Sequence, residues 1–392
     1  MDILVGCDPE IFVRRADNNE LVSAHGLIPG TKKAPHKVEK GAVQVDGMAL
    51  EFNIDPASSL KEFKDNINAV MGQMKKMVGD EYVFDLSPTA HFGKEMIAAQ
   101  PQEASDLGCE PDFDAYTGAA NPKPNVNAPF RTASGHIHIG WTNGMDVTDP
   151  DHIEACKMLT KQLDTMLAPL SRLWDQDNER RELYGKLGSF RPKSFGVEYR
   201  VLSNAWLREK DTISAVYDIA ISATEQLLKG TRRYERGNTH KVFEAAEPVN
   251  WWMPIDFTPD SYNRPWFKFL GDKYEELNKQ WCADLAAKQE ANRAAKAKKA
   301  PIRGKKADII VFDDVDGFGL RPAPQPVAAP ADNQWFNPAL EINLEPARPV
   351  QRREGEVLFF DWNGNQWRNR NGRIEQIGGA VADLVQPVRV GR

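Results

Sequence analysis

A chain of 392 residues with a formal net charge of −6 has no global basic field to draw it onto nucleic acid or anionic lipid. Its apolar and charged fractions, 41% and 27%, suit a soluble protein with one large or two ordinary domains and a substantial core. Cys7, Cys109, Cys156 and Cys282 show no paired spacing, which excludes a zinc cage or disulfide frame and predicts reduced, buried thiols. No stretch has the length and apolar character of a membrane span. The N-terminus runs straight into a strand pattern, so the expected location is cytoplasmic.

Residues 3–13 read as the first strand, with Asp8 and Glu10 on one parity and Pro9 marking an edge, a bulge or a strand end. Asn18-Asn19 reads as a hairpin turn. Residues 25–42 are rich in Gly, Pro, Lys and His and read as a loop over the sheet, with Lys32, Lys33 and Lys37 meeting either phosphate or solvent. Val43 to Asp55 returns as strand, broken around Gly47, with Leu50, Phe52 and Ile54 alternating with Glu51, Asn53 and Asp55. Ser59-x-x-Glu62 is a capping box. Leu60, Phe63, Ile67, Val70, Met71, Met74 and Met77 then follow at helical spacing, which predicts a helix over the apolar face of the sheet. Tyr82 to Phe84 is a further short strand. Residues 99–128 form a long excursion of the kind that serves as a lid or substrate loop, with Asp112 and Asp114 as candidate contacts.

Ser134 to Trp141 alternates strictly, which places His136 and His138 on one face of a strand and Ile137 and Ile139 on the other. Asp149 caps a helix with Pro150 at its first position, and His152 in its first turn reads as structural. Arg180 to Lys193 reads as a basic loop. Arg191 and Lys193 are its best phosphate contacts, and a solvated connector is the equal alternative. In Val197-Glu198-Tyr199-Arg200-Val201, Glu198 and Arg200 alternate with three large apolar groups. Asp211 caps an amphipathic helix closing near Gly230. Residues 248–270, dense in Trp, Pro and Phe, fold back onto the body or offer a stacking platform.

Composition shifts after residue 275, and three segments are predicted. Residues 1–275 form the main body. Residues 276–350 are a charged helix, whose Arg293 to Lys306 basic run reads as solvated, and a partly disordered Pro/Ala-rich linker. Residues 351–392 form a small β-meander, signalled by Asn363-Gly364 and Asn371-Gly372.

If the four polar-apolar strands align in one sheet, one face is apolar and covered by helices. The other carries Asp8, Glu10, Glu51, His136, His138, Glu198 and Arg200. Acids gathered this way repel one another unless cations sit among them. Carboxylate oxygens mixed with imidazole suit Mg²⁺ or Mn²⁺, whose coordination a nucleotide phosphate completes. Any half-solvated antiparallel strand alternates polar with apolar; these stand out because their polar members are acids, histidines and arginine. A zinc hydrolase on His136-x-His138 would need a third nitrogen or sulfur ligand, and His25, His36, His91, His152 and His240 lie in no recognisable zinc motif.

These motifs resemble the glutamine synthetase-like carboxylate–amine ligases, most closely the phage-type COOH–NH2 ligases (amidoligases). Gly6-Cys-Asp-Pro-Glu-Ile-Phe12 is similar to the family's Gly-x-Glu-x-Glu-Phe strand, and Ser134-Gly-His-Ile-His138 to its Ser-Gly-x-His-x-His strand. Pro192-Lys193 and Val197-Glu-Tyr-Arg200 are similar to its Pro-Lys and Ile-Glu-x-Arg, and Glu51 falls where a second-strand acid is expected. The resemblance, over roughly residues 3–230, implies an α+β fold: a curved antiparallel sheet with helices on one face, here with a partly disordered C-terminal extension. It implies an ATP-dependent ligase that forms an amide through an acyl phosphate. Asp8, His136 and Glu198 would hold one divalent ion and Glu10 and Glu51 a second, both Mg²⁺ or Mn²⁺. His138 and Lys193 would approach the nucleotide phosphates, and Arg191 and Arg200 would steady the transferred phosphoryl group. Partners would be a carboxylate-bearing and an amine-bearing substrate (amino acid, peptide or protein), and further copies of the chain in an oligomer. Asp8 stands where the family has Glu and reaches one methylene less far, and Pro9 is foreign to a regular central strand. A phosphotransferase and a non-catalytic binding or particle-associated protein on the same scaffold are the competing readings.

Overall fold

The computed structural model describes residues 2–105, 112–122, 128–236, 239–244, 248, 263–299, 356–360, 366–370 and 373–376. The first strand pattern is split at Asp8-Pro9 into β1 (Leu4–Cys7) and β2 (Glu10–Arg15). Proline offers no N–H to a ladder, so the chain leaves one sheet before it and enters another after it. Next come β3 (Leu21–Val22), β4 (His36–Val38), β5 (Gly41–Asp46), β6 (Ala49–Ile54) and β7 (Tyr82–Asp85), and then β8 (Thr89–Ala90) and β9 (Phe113–Asp114). The remaining strands of the main body are β10 (Arg131–Thr132), β11 (Ile137–Gly140), β12 (Ser189–Lys193) and β13 (Gly196–Tyr199).

One sheet has the order β1-β11-β13-β12-β9, antiparallel throughout. The other runs β3-β2-β6-β5-β4, with β7 also paired to β2, while β8 and β10 pair by themselves. The two larger sheets join along the proline break. Asp8 N–H donates to the His136 carbonyl (3.3 Å), Glu10 N–H to that of Ser134 (2.9 Å), and Phe52 N–H to that of Pro9 (3.2 Å). The result is a curved antiparallel wall in an α+β fold, as expected.

Three long helices cover the apolar face. The helix Leu60–Val78 starts at the expected cap, where Ser59 Oγ accepts from Glu62 N–H (3.2 Å). Glu62 reaches back to the N–H (2.9 Å) and hydroxyl of Ser58, one residue earlier than a standard capping box. This helix buries Phe63, Ile67, Val70 and Met74. The helix Pro150–Met166 is capped by Asp149 and buries Cys156, Leu159 and Leu163 beneath β12 and β13. Between them lies the helix Lys210–Leu228.

Several expectations need correction. The cap of Lys210–Leu228 is Glu209, whose backbone is still extended, and Asp211 sits inside the first turn, where it faces the positive end of the helix dipole. Arg180 to Lys193 is not a single loop. It contains a short helix, Glu179–Leu183, and then β12, because the glycines at 185 and 188 turn the chain (φ 72° and 85°) and Arg191 pairs across the ladder with Glu198. Cys282 is exposed, whereas Cys7 and Cys156 are buried; it lies on the helix Pro265–Lys299, whose later turns lack an apolar stripe. Cys109 lies outside the described residues. Trp266, Phe267 and Leu270 of that helix are buried, and Trp266 Nε1 donates to Asp218 (2.8 Å).

The Pro/Ala-rich segment lies outside the described residues. Beyond it, β14 (Glu356–Phe360), β15 (Gln366–Arg370) and β16 (Arg373–Gln376) form a three-stranded sheet.

Gly135 shows how closely the histidine strand is held. Trp206 Nε1 donates to its carbonyl (2.9 Å), and a Cβ here would fall 2.2 Å from the Ser203 carbonyl oxygen and 2.5 Å from Trp206 Nε1. Gly135→Ala should therefore lower stability by about 1–3 kcal/mol in urea denaturation; a wild-type midpoint would contradict this packing.

Candidate functional site

Strand register builds the site as two rows. Across the first sheet Gly6, His138, Glu198 and Arg191 stand opposite one another. Across the second, Glu10 faces Glu51 and Glu51 faces Gln44. Alternation sends Ile137, Ile139, Val197 and Tyr199 into the core on the other side.

The first row closes around Asp8. Its Oδ1 lies 3.1 Å from His138 Nε2 and 3.4 Å from His136 Nδ1. Glu198, fully buried, has Oε1 3.5 Å from His136 Nδ1. Lys193 Nζ (2.7 Å), Arg191 (3.1 Å) and Arg200 all pair with the Glu198 carboxylate. Arg200 also bonds Asp112 (3.1 Å) and His136 Nδ1 (3.3 Å). Burial and Asp8 press the Glu198 pKa upward, but Arg200 and the two imidazoles outweigh them and hold it well below the usual carboxylate range. Burial, then the Arg200 charge, lowers His136 to about 4, so its ring is neutral near pH 7.

Ligand atoms of Asp8, His138 and Glu198 all lie within 4.8 Å of one another. Asp8 Oδ1 and His138 Nε2 are buried and, though 3.1 Å apart, make no aligned hydrogen bond, an arrangement that fits two ligands of one divalent cation. His136, the histidine expected in this set, touches the same two carboxylates but also meets Arg200.

The second row gathers Glu10, Asp46 and Glu51, again with ligand atoms within 4.8 Å. Ser134 N–H donates to Glu10 (2.8 Å), Gln44 to Glu51 (2.8 Å), and Lys32 pairs with Asp46 (2.9 Å). Burial and then the Asp46 charge push Glu10 up to about 7. Burial, Asp8, Asp46 and Glu10 together raise Glu51 well above its ordinary value. An all-oxygen set of acids crowded this closely fits a hard cation. Sequence reasoning missed Asp46. The available signal was its shared parity with Gln44 on β5, obscured because Asp46-Gly47 read only as a strand break.

Other candidates fall elsewhere. Lys33 and Lys37 are exposed. Asp114 closes a turn by accepting from Tyr116 N–H (2.8 Å) and Thr117 Oγ1 (2.9 Å). His152 bonds the Lys193 carbonyl (2.8 Å), a structural contact.

Two cavities flank the first row. The smaller is lined by Glu10, Asp46, His136, Arg131, Arg180 and Arg200 among others. The larger is lined by Gly6, Asn53, His138, Trp141 and Phe195 among others. His136 thus lines one cavity and His138 the other, and the Asp8 carboxylate lies against both imidazole rings. Arg131 and Arg180 were not singled out as ligand contacts from the sequence, since neither falls in an alternating motif. Arg180 is fully buried and donates to the carbonyls of Val201 (2.9 Å) and Leu202 (2.7 Å).

The raised Glu10 pKa has a sign that can be tested in metal-free protein. A carboxyl that holds its proton more tightly when folded stabilises fully below its ordinary pKa, and that contribution is lost as pH rises through about 7. Glu51, shifted the same way, adds to the trend. Urea stability of EDTA-treated protein should fall across this interval, and less steeply in Glu10→Gln; parallel profiles would contradict the burial of Glu10.

Residues 128–246 match the family model described as Phage phiEco32-like COOH.NH2 ligase-type 2. Asp8, Glu10 and Glu51 lie ahead of the matched stretch. No curated protein sequence matches the chain. A crystal structure of a novel glutamine synthase homolog aligns at 10% identity with a TM-score of 0.30, over 59% of this chain and 56% of that one. The chain therefore spans little more than half the length of that structure. Over residues 128–246, which hold both histidines, β12 and β13, the chain carries the pattern of a COOH–NH2 ligase family, the family its motif strands resemble.

Proposed function

We propose that the chain is an ATP-dependent carboxylate–amine ligase that forms an amide through an acyl phosphate. The observation that carries this reading is that His136 and His138, two residues apart and both against Asp8, line different cavities, with Glu198 buried against His136. A free carboxylate resists amines because it is anionic and its oxygens leave poorly. Activation requires moving a phosphoryl group onto it from a donor, and the task is mainly positioning and charge neutralisation.

The larger cavity suits the nucleotide. Trp141 and Phe195 offer stacking faces for a base, and Phe195 stands 5.9 Å from the His138 ring at an interplanar angle of 26°. His138 then meets the phosphates. The smaller cavity suits the carboxylate substrate, with Arg131, Arg180 and Arg200 to receive its charge. Mg²⁺ or Mn²⁺ held by Asp8, Glu198 and a histidine, and by Glu10, Glu51 and Asp46, would neutralise phosphate oxygens and so lower the barrier to transfer. Arg191, Lys193 and Arg200, which converge on Glu198, are placed to meet the moving phosphoryl oxygens. The acyl phosphate carbon is then attacked by the amine, the C–O bond to phosphate breaks, and the nitrogen loses a proton. Product is an amide, with ADP and inorganic phosphate released. The amine and the acid are expected to be an amino acid, a peptide or a protein side chain. No helix among the described residues is long and apolar enough to cross a membrane.

Isothermal titration of ATP with and without Mg²⁺ should show metal-dependent binding. Glu198→Gln and Glu10→Gln should weaken it by at least about 100-fold, beyond the loss seen when only an outer partner of a ligand is removed. Phe195→Ala should weaken it about ten-fold through lost stacking. A screen of amino acids should yield amide and phosphate together. Phosphorylated acceptor without amide would point to the phosphotransferase, and unchanged affinity in both acid variants to a non-catalytic scaffold.

A further inference from the structure

Beneath β12 and β13 lies a buried acid that the proposed mechanism does not use. Asp164, on the helix Pro150–Met166, is fully buried. Its Oδ1 accepts from the Tyr199 hydroxyl (2.8 Å) and its Oδ2 from the Gly188 N–H (2.7 Å), with the Tyr116 hydroxyl beside them. Among the described residues it is held only by hydroxyl and N–H donors, with no arginine or lysine at ion-pair distance. A buried carboxyl without a cation is costly, and burial pushes this one up to about 7. A Thr or Asn on the same helix face would fill the space with less penalty, so the geometry of two acceptors is what needs explaining.

Tyr199 lies on β13 and Gly188 just ahead of β12, two of the four strands that form the first row. Tyr199 follows Glu198 directly and stands opposite Phe190 of β12. Gly188 immediately precedes β12, whose Arg191 lies opposite Glu198. The Ser189 carbonyl accepts from Arg200 N–H (3.0 Å), so the Gly188 end of β12 also bears on Arg200. One rigid carboxylate, with one oxygen for each strand, therefore fixes how far β12 can slide along β13. An amide at this position has one acceptor and one donor, and would turn its NH₂ toward one of the two donors.

We propose that Asp164 is a positioning residue: by bridging Gly188 and Tyr199 it locks β12 against β13, and so sets Arg191, Lys193 and Arg200 around Glu198 in a shape that admits a divalent ion. The proposal rests on the reading of Asp8, His138 and Glu198 as a metal site. It adds that the site's affinity depends on a group that touches none of those three side chains.

The test uses the full chain and Mn²⁺ as the probe, titrated calorimetrically alongside a thermal melt. Asp164→Asn should weaken Mn²⁺ binding about 10- to 100-fold. Tyr199→Phe, which removes one of the two donors and keeps the ring, should weaken it in the same direction. Met74→Ala, a cavity in the helix Leu60–Val78 far from this bridge in the fold, should lower the melting temperature and leave Mn²⁺ affinity unchanged. Wild-type affinity in both bridge variants would overturn the proposal, as would an equal loss in Met74→Ala, which would make the effect one of general stability. Should Asp164→Asn fail to fold, Tyr199→Phe decides alone. If wild-type protein does not bind Mn²⁺, or Glu198→Gln binds it normally, the metal site itself is refuted and the proposal falls with it; intact wild-type binding lost in Glu198→Gln but kept in the bridge variants refutes the proposal alone.

Discussion

Glu198 is a carboxylate with no access to water, and everything around it is arranged to make that tolerable. Lys193, Arg191 and Arg200 pair with it and His136 lies against it, which outweighs the opposing charge of Asp8. Isolated charges of this kind are too costly to bury, while clustered opposite charges in low dielectric interact strongly. The surplus is asymmetric. The first row gathers more cations around Glu198 than it needs, whereas the second crowds Glu10, Asp46 and Glu51 with Lys32 at their edge. A ligand that brings anionic oxygens to the cations around Glu198, and cations to the crowded acids, would relieve both.

The fold supplies this arrangement through ordinary β geometry. Antiparallel pairing with no slip puts His138, Glu198 and Arg191 in line, and the apolar alternates seal against three helices. Most of the site is therefore built on paired strands or their immediate ends, and Asp8 sits in the break between two of them. From the described residues of the long excursion, Asp112 pairs with Arg200.

Much of this was readable from residue order alone. The alternation in Ser134–Trp141 and Val197–Val201 assigned both strands and their polar faces, and Ser59 and Asp149 marked two helix starts within a residue. What failed did so for tertiary reasons. Arg180 to Lys193 looked like a loop because Pro192 and two glycines obscure a strand that exists only by pairing with β13. Asp46 looked like a turn residue because its role depends on Glu10 and Glu51, each brought near it by a different strand. Arg131 and Arg180 carry no periodic signal, since a cavity wall is assembled from segments with no common spacing. Asp164 sat in a helical stripe as one polar residue among many, and only its two partners distinguish it.

The break at Asp8-Pro9 belongs to neither ladder. Its carboxylate is held where the ends of β1 and β2, each anchored in a different sheet, meet His136 and His138. The charged cluster is therefore complete only when both sheets are: the first alone lacks Glu10, Asp46 and Glu51, and the second alone lacks His138, Glu198 and the cations paired with it.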